Sequence, residues 1–271
     1  MNSILLQGVG VEKRFGRVPA LRGINFEIHP GESVSILGAN GAGKSTLLRI
    51  LAGLSRPSRG QFRALRHDTT NEVVLDRQAL RGAVGYVGHA TLVYAELSAR
   101  ENLAFAARLH GQAPDRDLLD ATLEEVGLQE FADRRAGTFS RGMAQRLSIA
   151  RAIVHSPHVL LLDEPFTGLD ENSAQRLSDQ LAALRGGDRI LLLVTHDPRR
   201  AVELSDRALI LHRGEIRARP SRDQSEGGDA FDLAAVRDTL SRLATDGALA
   251  TAAGDALGTR QESSAQDESR S

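Results

Sequence analysis

The stretch Gly38-Ala39-Asn40-Gly41-Ala42-Gly43-Lys44-Ser45-Thr46 constrains this chain more than any other. It fits G-x-x-x-x-G-K-[ST], a phosphate-binding loop. The apolar run Val34 to Leu37 before it reads as a buried strand. Leu47, Leu48, Ile50 and Leu51 after it read as the packed side of a helix ending near Gly53. Strand, loop and helix are the context the motif needs. Glycines let the backbone curl until successive N–H groups point at one spot. The helix start adds free N–H donors and the positive end of a dipole. Lys44 supplies a point charge for the outer phosphates, and the Ser45 hydroxyl can ligate Mg²⁺.

Composition sets the outer bounds. A chain of 271 residues allows one large domain or two small ones. Hydrophobic residues at 41% and charged residues at 25% suit a globular protein. The formal net charge of −1 gives no global basic field, so no nucleic-acid partner is expected. There are no cysteines, which excludes disulfide and thiolate chemistry. Val159–Leu162 and Ile190–Val194 are strand-sized, far short of the roughly 18 apolar residues of a spanning helix. The N-terminus lacks a basic start followed by an apolar segment, so no secretion signal is expected.

Taken in order, Ile4–Val11 and Ile24–Ile28 read as two strands around a turn holding Gly16, Arg17 and Pro19. Phe15 just before that turn is either a hairpin rim residue or a stacking face for an adenine base. Pro30-Gly31-Glu32 and the segment from Arg56 to Gly60 read as turns, and 83–87 as a short strand. Ser98-Ala99-Arg100-Glu101 is a capping box opening a helix to about His110. Leu119, Leu123 and Val126 give a second helix stopped by Gly127. Met143, Leu147, Ala150 and Val154 give a third, with Ser140 placed to cap it. Residues 97–155 are therefore expected to be a helical insertion in an α/β core.

The α/β pattern resumes at Val159-Leu160-Leu161-Leu162-Asp163-Glu164. Four apolar residues ending in two carboxylates read as a buried parallel strand, with acids at the edge where open α/β sheets bind ligands. Leu177, Leu181 and Leu184 mark a helix with Gly186-Gly187 as its stop. Strand Ile190–Val194 then delivers Thr195-His196-Asp197, with Asp197-Pro198 as a helix cap. Ala208–Leu211 and Glu215–Arg217 look like a closing hairpin. Residues 221–229 read as a linker and 230–244 as a C-terminal helix, with Leu233, Val236, Leu240 and Leu243 on one face. That helix packs either on the core or on a partner. Residues 245–271 have no periodic apolar face and are expected to be disordered.

These parts, in this order, resemble the nucleotide-binding subunit of ABC (ATP-binding cassette) transporters over roughly residues 1–220. Phe139-Ser140-Arg141-Gly142-Met143-Ala144-Gln145-Arg146 occupies the place of the family's signature, Asp163-Glu164 ends the second phosphate-site strand, Thr167-Gly168-Leu169-Asp170 matches the dimer-facing loop, and His196 falls at the switch histidine. The resemblance implies a P-loop NTPase core with an antiparallel β subdomain and an inserted helical subdomain. It implies ATP as substrate with Mg²⁺, held by Ser45 and Asp163. Glu164, His196 and His89 are the expected catalytic residues. Ser140 and Gly142, with Arg141 and Met143 between and beside them, are expected to cap the γ-phosphate of a second subunit, either an identical copy or a paired ATPase. A transmembrane permease subunit is the implied partner, and the cytoplasmic face of the inner membrane the implied peripheral location.

Two departures stand out. The commonest signature is Leu-Ser-Gly-Gly-Gln, so Phe139, Arg141 and Met143 are substitutions. Arg141 either adds a cation near phosphate or faces solvent. His89 replaces the usual glutamine between core and helical insertion. The Tyr86-Val87-Gly88-His89 run, with Phe-Ser-Arg-Gly-Met at 139–143, resembles the ATP-binding subunit of the haem exporter in cytochrome c maturation. Exporters of drugs, lipids or polysaccharide are the alternatives. A soluble ABC ATPase of DNA repair is disfavoured by the lack of sustained heptads between phosphate loop and signature. A ribosome-acting one is disfavoured by the single cassette, and a regulatory protein without turnover by Glu164 and His196.

Overall fold

The computed structural model describes residues 3–67, 72–222 and 230–245. Two sheets organise them. A four-stranded antiparallel sheet has the order β2-β1-β4-β5, built from β1 (Ser3–Phe15), β2 (Val18–Ile28), β4 (Arg59–His67) and β5 (Glu72–Val74). A six-stranded sheet has the order β10-β9-β3-β8-β7-β6. Its strands are β3 (Ser33–Leu37), β6 (Val84–Val87), β7 (Val159–Asp163), β8 (Ile190–Val194), β9 (Arg207–His212) and β10 (Glu215–Ala218). Neighbours from β9 to β6 pair in parallel, and β10 closes the edge antiparallel to β9.

The central strands are the continuous apolar runs. Every residue of β3, β7 and β8 is buried, because both faces of this sheet are covered. On one face lies α1 (Lys44–Leu51), whose Leu47, Leu48, Ile50 and Leu51 share a core with Ile4, Leu6 and Ile28 of the antiparallel sheet. On the other, Leu160, Leu162, Leu191 and Leu193 meet α3 (Ala99–Leu109), α4 (Arg116–Glu125), α5 (Arg141–Ile153) and α6 (Glu171–Ala183) through Leu103, Leu123, Leu147 and Leu177. Residues 97–155 hold α3, α4, α5 and the 3₁₀ turns Gln129–Phe131 and Ala136–Thr138. The Ser98 capping box forms in full: Ser98 Oγ accepts from the Glu101 N–H, and Glu101 Oε2 accepts from the Ser98 N–H. Gly127 ends α4 with φ +61, a conformation that suits a residue without Cβ.

The structure extends the sequence reading in three places. β1 and β2 are longer than the two expected strands, and Pro19 belongs to β2 rather than to the turn. Between Gly60 and Val84, β4, β5 and α2 (Arg77–Ala83, capped by Asp76) fill a stretch for which the sequence reading named no element. At the C-terminus, 233–245 are helical, one residue into the expected tail; we label this helix α8. Phe231 and Val236 are buried against Leu37, Ala201, Ala208 and Ile210, with Leu240 and Leu243 at the rim, so α8 packs on the core. Most of the expected linker, 223–229, and the tail from 246 onward lie outside the described residues.

Candidate functional site

The phosphate loop runs from the end of β3 into α1. Its glycines answer to specific obstacles. A Cβ at Gly38, where φ is +145, would stand 2.2 Å from the Leu211 carbonyl oxygen. One at Gly43, where φ is +108, would stand 2.6 Å from the Ala20 oxygen. The loop is thus threaded between β9 and β2, and only bare backbone passes. The β9–β10 turn clips it there, since the Gly214 N–H donates to the Ala42 oxygen and the Arg22 N–H donates to the Gly214 oxygen. Gly43 is the N-cap of α1 and no side chain caps the helix, so its first N–H groups are left to an anion.

Lys44 is buried, and its ammonium group donates to the Gly38 oxygen at 2.8 Å and the Ala39 oxygen at 3.2 Å. Ser45 Oγ donates to Asp163 Oδ1 at 3.1 Å, across from α1 to the end of β7. Burial pushes the Asp163 carboxyl up; the Glu164 charge adds to this, while the Ser45 hydrogen bond and the charges of Arg49 and His89 pull it down. Glu164, the next residue, has φ +54, a conformation that costs a non-glycine residue about 1–3 kcal/mol. The Glu164 N–H donates to the Val194 oxygen at 3.0 Å, which ties the strained residue to β8. Glu164 Oε2 lies 2.8 Å from His196 Nδ1. A carboxylate accepts, so Nδ1 carries the proton in this pair. His196 arrives on the loop from β8 to α7 (Pro198–Leu204), with Asp197 capping that helix through the Arg199 N–H.

These groups line one cleft of about 450 Å³, bounded by Asn40, Gly41, Gly43, Lys44, Ser45, Thr46, His89, Asp163, Glu164 and His196, with Ala20 and Thr167. Gly38, Ala39 and Ala42 shape the loop behind it. Ala20 carried no sequence signal, because it acts through a backbone carbonyl. Phe15 is not among the lining residues: it ends β1, half exposed, with the Lys13 ammonium 5.3 Å from its ring centroid. The signature also lies elsewhere. Ser140 caps α5 by accepting from the Met143 N–H, which leaves its hydroxyl proton free to donate. A Cβ at Gly142 would meet Ser173 Cβ and Oγ at 3.1 Å, so this glycine lets α5 approach α6 closely. The Arg141 guanidinium rests against Gly168, where an added Cβ would stand 2.3 Å from Cζ. Asp170 caps α6, accepting from the Ser173 N–H and hydroxyl, and these bonds hold its carboxyl below the usual range.

For a divalent cation the donors beside each other are the Ser45 hydroxyl and the buried Asp163 carboxylate. Oxygen-only donors, two from the protein with the rest from phosphate and water, are what Mg²⁺ prefers. Among the described residues there is no cluster of three or more His, Cys, Asp or Glu that would form an all-protein cage. The residues therefore fit a metal that arrives with its nucleotide.

A loop that aims N–H groups and a lysine at one point, beside a carboxylate pair, receives a chain of phosphates with its cation. That places the protein in the class of P-loop nucleotide-binding cassettes. A family model described as ABC transporter matches residues 21–167. A sulfate/thiosulfate import ATP-binding protein of Methylococcus capsulatus is 40% identical over 221 residues, covering 79% of this chain and 62% of the relative. A daunorubicin resistance ATP-binding protein of Streptomyces coeruleorubidus is 35% identical over 229 residues, 83% of this chain and 71% of the relative. A dimeric ATP-binding cassette in a post-hydrolysis state with ADP and Pi superposes at a TM-score of 0.68, with 27% identity, over 80% of this chain and 99% of that one. The chain belongs to the ABC transporter family. It spans about three fifths of the length of the sulfate-import relatives. No helix among the described residues is long and apolar enough to cross a membrane.

Proposed function

We propose that this chain is the ATP-hydrolysing subunit that powers an ABC membrane transporter. Residues 1–220 serve as its ATP-binding unit and 97–155 as the helical insertion. The observation that carries the reading is the Glu164–His196 pair, 2.8 Å apart in the cleft of Lys44, Ser45 and Asp163. Phosphoryl transfer asks a protein chiefly for positioning and charge stabilisation. Lys44 exchanges its two carbonyl partners for phosphate oxygens. Ser45 and Asp163 would hold Mg²⁺, which would supply charge neutralisation on the phosphates when bound. Glu164 orients the attacking water and takes up its proton, and His196 fixes the carboxylate that does so. His89, on the cleft wall, adds a hydrogen-bonding group.

A membrane permease is the partner we infer, with the subunit peripheral to the cytoplasmic side. The relatives named above are an importer and a drug-resistance protein. A haem-export cargo rests on the Tyr86–His89 and Phe139–Met143 runs alone, so the general statement is the one we put forward. Phosphate release from Mg²⁺–ATP tests it, with the permease present if the isolated subunit is idle. Glu164→Gln should lower turnover by something on the order of 10²–10⁴-fold while keeping nucleotide affinity. Full turnover by that variant removes Glu164 from the mechanism.

A further inference from the structure

Arg200 is a buried cation outside the cleft, on α7, four residues after His196. Both terminal nitrogens of its guanidinium are used. One terminal nitrogen donates to Gln175 Oε1 at 2.9 Å, Ser178 Oγ at 3.0 Å and Glu203 Oε2 at 2.9 Å. The other donates to Glu171 Oε1 at 3.0 Å. Its Cζ also lies 5.6 Å from the ring centroid of Phe166, two residues past Glu164. Glu171, Gln175 and Ser178 all belong to α6, the helix that follows the Glu164 loop.

Helix packing alone does not call for this. Apolar neighbours on the same two helices, Leu177 and Leu181 of α6 and Ala201 and Leu204 of α7, are already buried. Burying a charge costs desolvation energy that apolar packing avoids. What the guanidinium adds is direction: a planar fork bonds its partners in one orientation only. Here the fork links the helix behind Glu164 to the helix behind His196. His196 itself is exposed, and its ring makes a single hydrogen bond, to Glu164. His196 lies two residues before the start of α7, and Arg200 is the third residue of that helix. We propose that Arg200 is a positioning residue for the Glu164–His196 pair: by fixing α7 against α6 it sets the approach of the imidazole to the carboxylate.

The inference rests on the hydrolytic reading above, and a double-mutant cycle separates the two. Turnover, affinity for a non-hydrolysable ATP analogue with Mg²⁺, and thermal unfolding are measured for the full chain and its variants. Arg200→Gln should lower kcat by about tenfold to a hundredfold, as small misplacements of catalytic groups do. Its affinity for the analogue should stay within about twofold of the parent, since the phosphate loop is untouched. Arg200→Lys should fall with it, because an ammonium group cannot bridge the same partners. In a His196→Ala background, Arg200→Gln should cost nothing further. A loss of the same size in both backgrounds would mean a general structural role and overturn the proposal, as would full kcat in Arg200→Gln. If Arg200→Gln fails to fold, Glu171→Gln, at an exposed acceptor of the same clamp, takes its place with the same criteria. Full turnover by His196→Ala would remove the pair from the mechanism and overturn the positioning role while the hydrolytic reading stands; a parent chain that releases no phosphate would instead bring down the hydrolytic reading.

Discussion

Lys44 shows in one side chain how the site is built for its ligand. A buried ammonium group needs acceptors, and here two neutral carbonyls of its own loop supply them. Phosphate oxygens are charged acceptors and add to the ammonium hydrogen bond a Coulomb attraction that neutral carbonyls lack. Lys44→Ala should therefore weaken Mg²⁺–ATP binding by roughly ten- to a hundredfold, the equivalent of about 1.5–3 kcal/mol, in a calorimetric titration. Unchanged affinity would mean that the side chain never leaves the carbonyls. At this scale the sequence was most legible where a residue's chemistry is local. Lys44, Ser45, Asp163, Glu164 and His196 sit at spacings that a strand–loop–helix frame converts into one cleft. It was least legible where a residue acts on something distant in the chain. The motif demanded glycine at 43, but the Ala20 carbonyl that forbids a side chain there comes from another sheet. Arg141 had two open readings, and the structure places it against Gly168 of the next loop. Arg200 had no motif to flag it.

Two helix ends carry a pH-dependent contact. His110, the C-cap of α3, stacks on His155, just beyond α5, with ring centroids 3.5 Å apart and planes within 6°. Burial, with the adjacent His110 charge, pushes His155 from its ordinary 6.5 to about 4, and burial lowers His110 as well. Arg81 and Arg151 line the same cavity, which presents no carboxylate. The folded chain therefore keeps His155 neutral over a range where the unfolded chain binds a proton. Above about pH 6.5 both states are neutral and the pair costs nothing. As pH falls from about 6.5 to about 4, only the unfolded state gains the proton, so stability drops by something on the order of 3 kcal/mol and then levels off. His155→Phe keeps a flat ring without a titrating group. Denaturant unfolding should show a shallower loss between pH 6.5 and 4 for this variant than for the parent; parallel curves would remove His155 as the cause. Among elements, β3, β7 and β8 were legible because burial on both faces writes an uninterrupted apolar run. β4 was hidden by Arg59, Arg63, Arg66 and His67, β5 is exposed throughout, and α2 buries only Leu80. None of these has enough apolar residues to show a period.

For the molecule as a whole, the separation of the signature from the cleft is the consequential fact. Ser140 has a free hydroxyl proton and stands at the start of a 13-residue helix, yet neither it nor Gly142 lines the cleft of Lys44 and Glu164. A second molecule placed head to tail brings the one to the other. The similar post-hydrolysis cassette is dimeric, with ADP and Pi bound. The head-to-tail arrangement that the signature implies predicts that closure of such a pair needs the γ-phosphate and that opening follows its removal. A chain that binds ATP without cleaving it should then stay closed. Glu164→Gln leaves Lys44, Ser45 and Asp163 in place and removes only the carboxylate proposed to orient water. Size-exclusion chromatography with light scattering should show this variant moving from monomer to dimer with Mg²⁺–ATP and not with Mg²⁺–ADP. Ser140→Ala, added to the same chain, deletes the hydroxyl donor and should reverse the shift. If association alone is too weak to hold two free subunits, the permease supplies the missing contact and the same comparison is made on the complex. Slow hydrolysis without ATP-dependent association in either setting would sink the head-to-tail arrangement while leaving Glu164 in its place. Association that survives the loss of Ser140 would instead put the crossing contact on another group of α5 or of the Thr167–Asp170 loop.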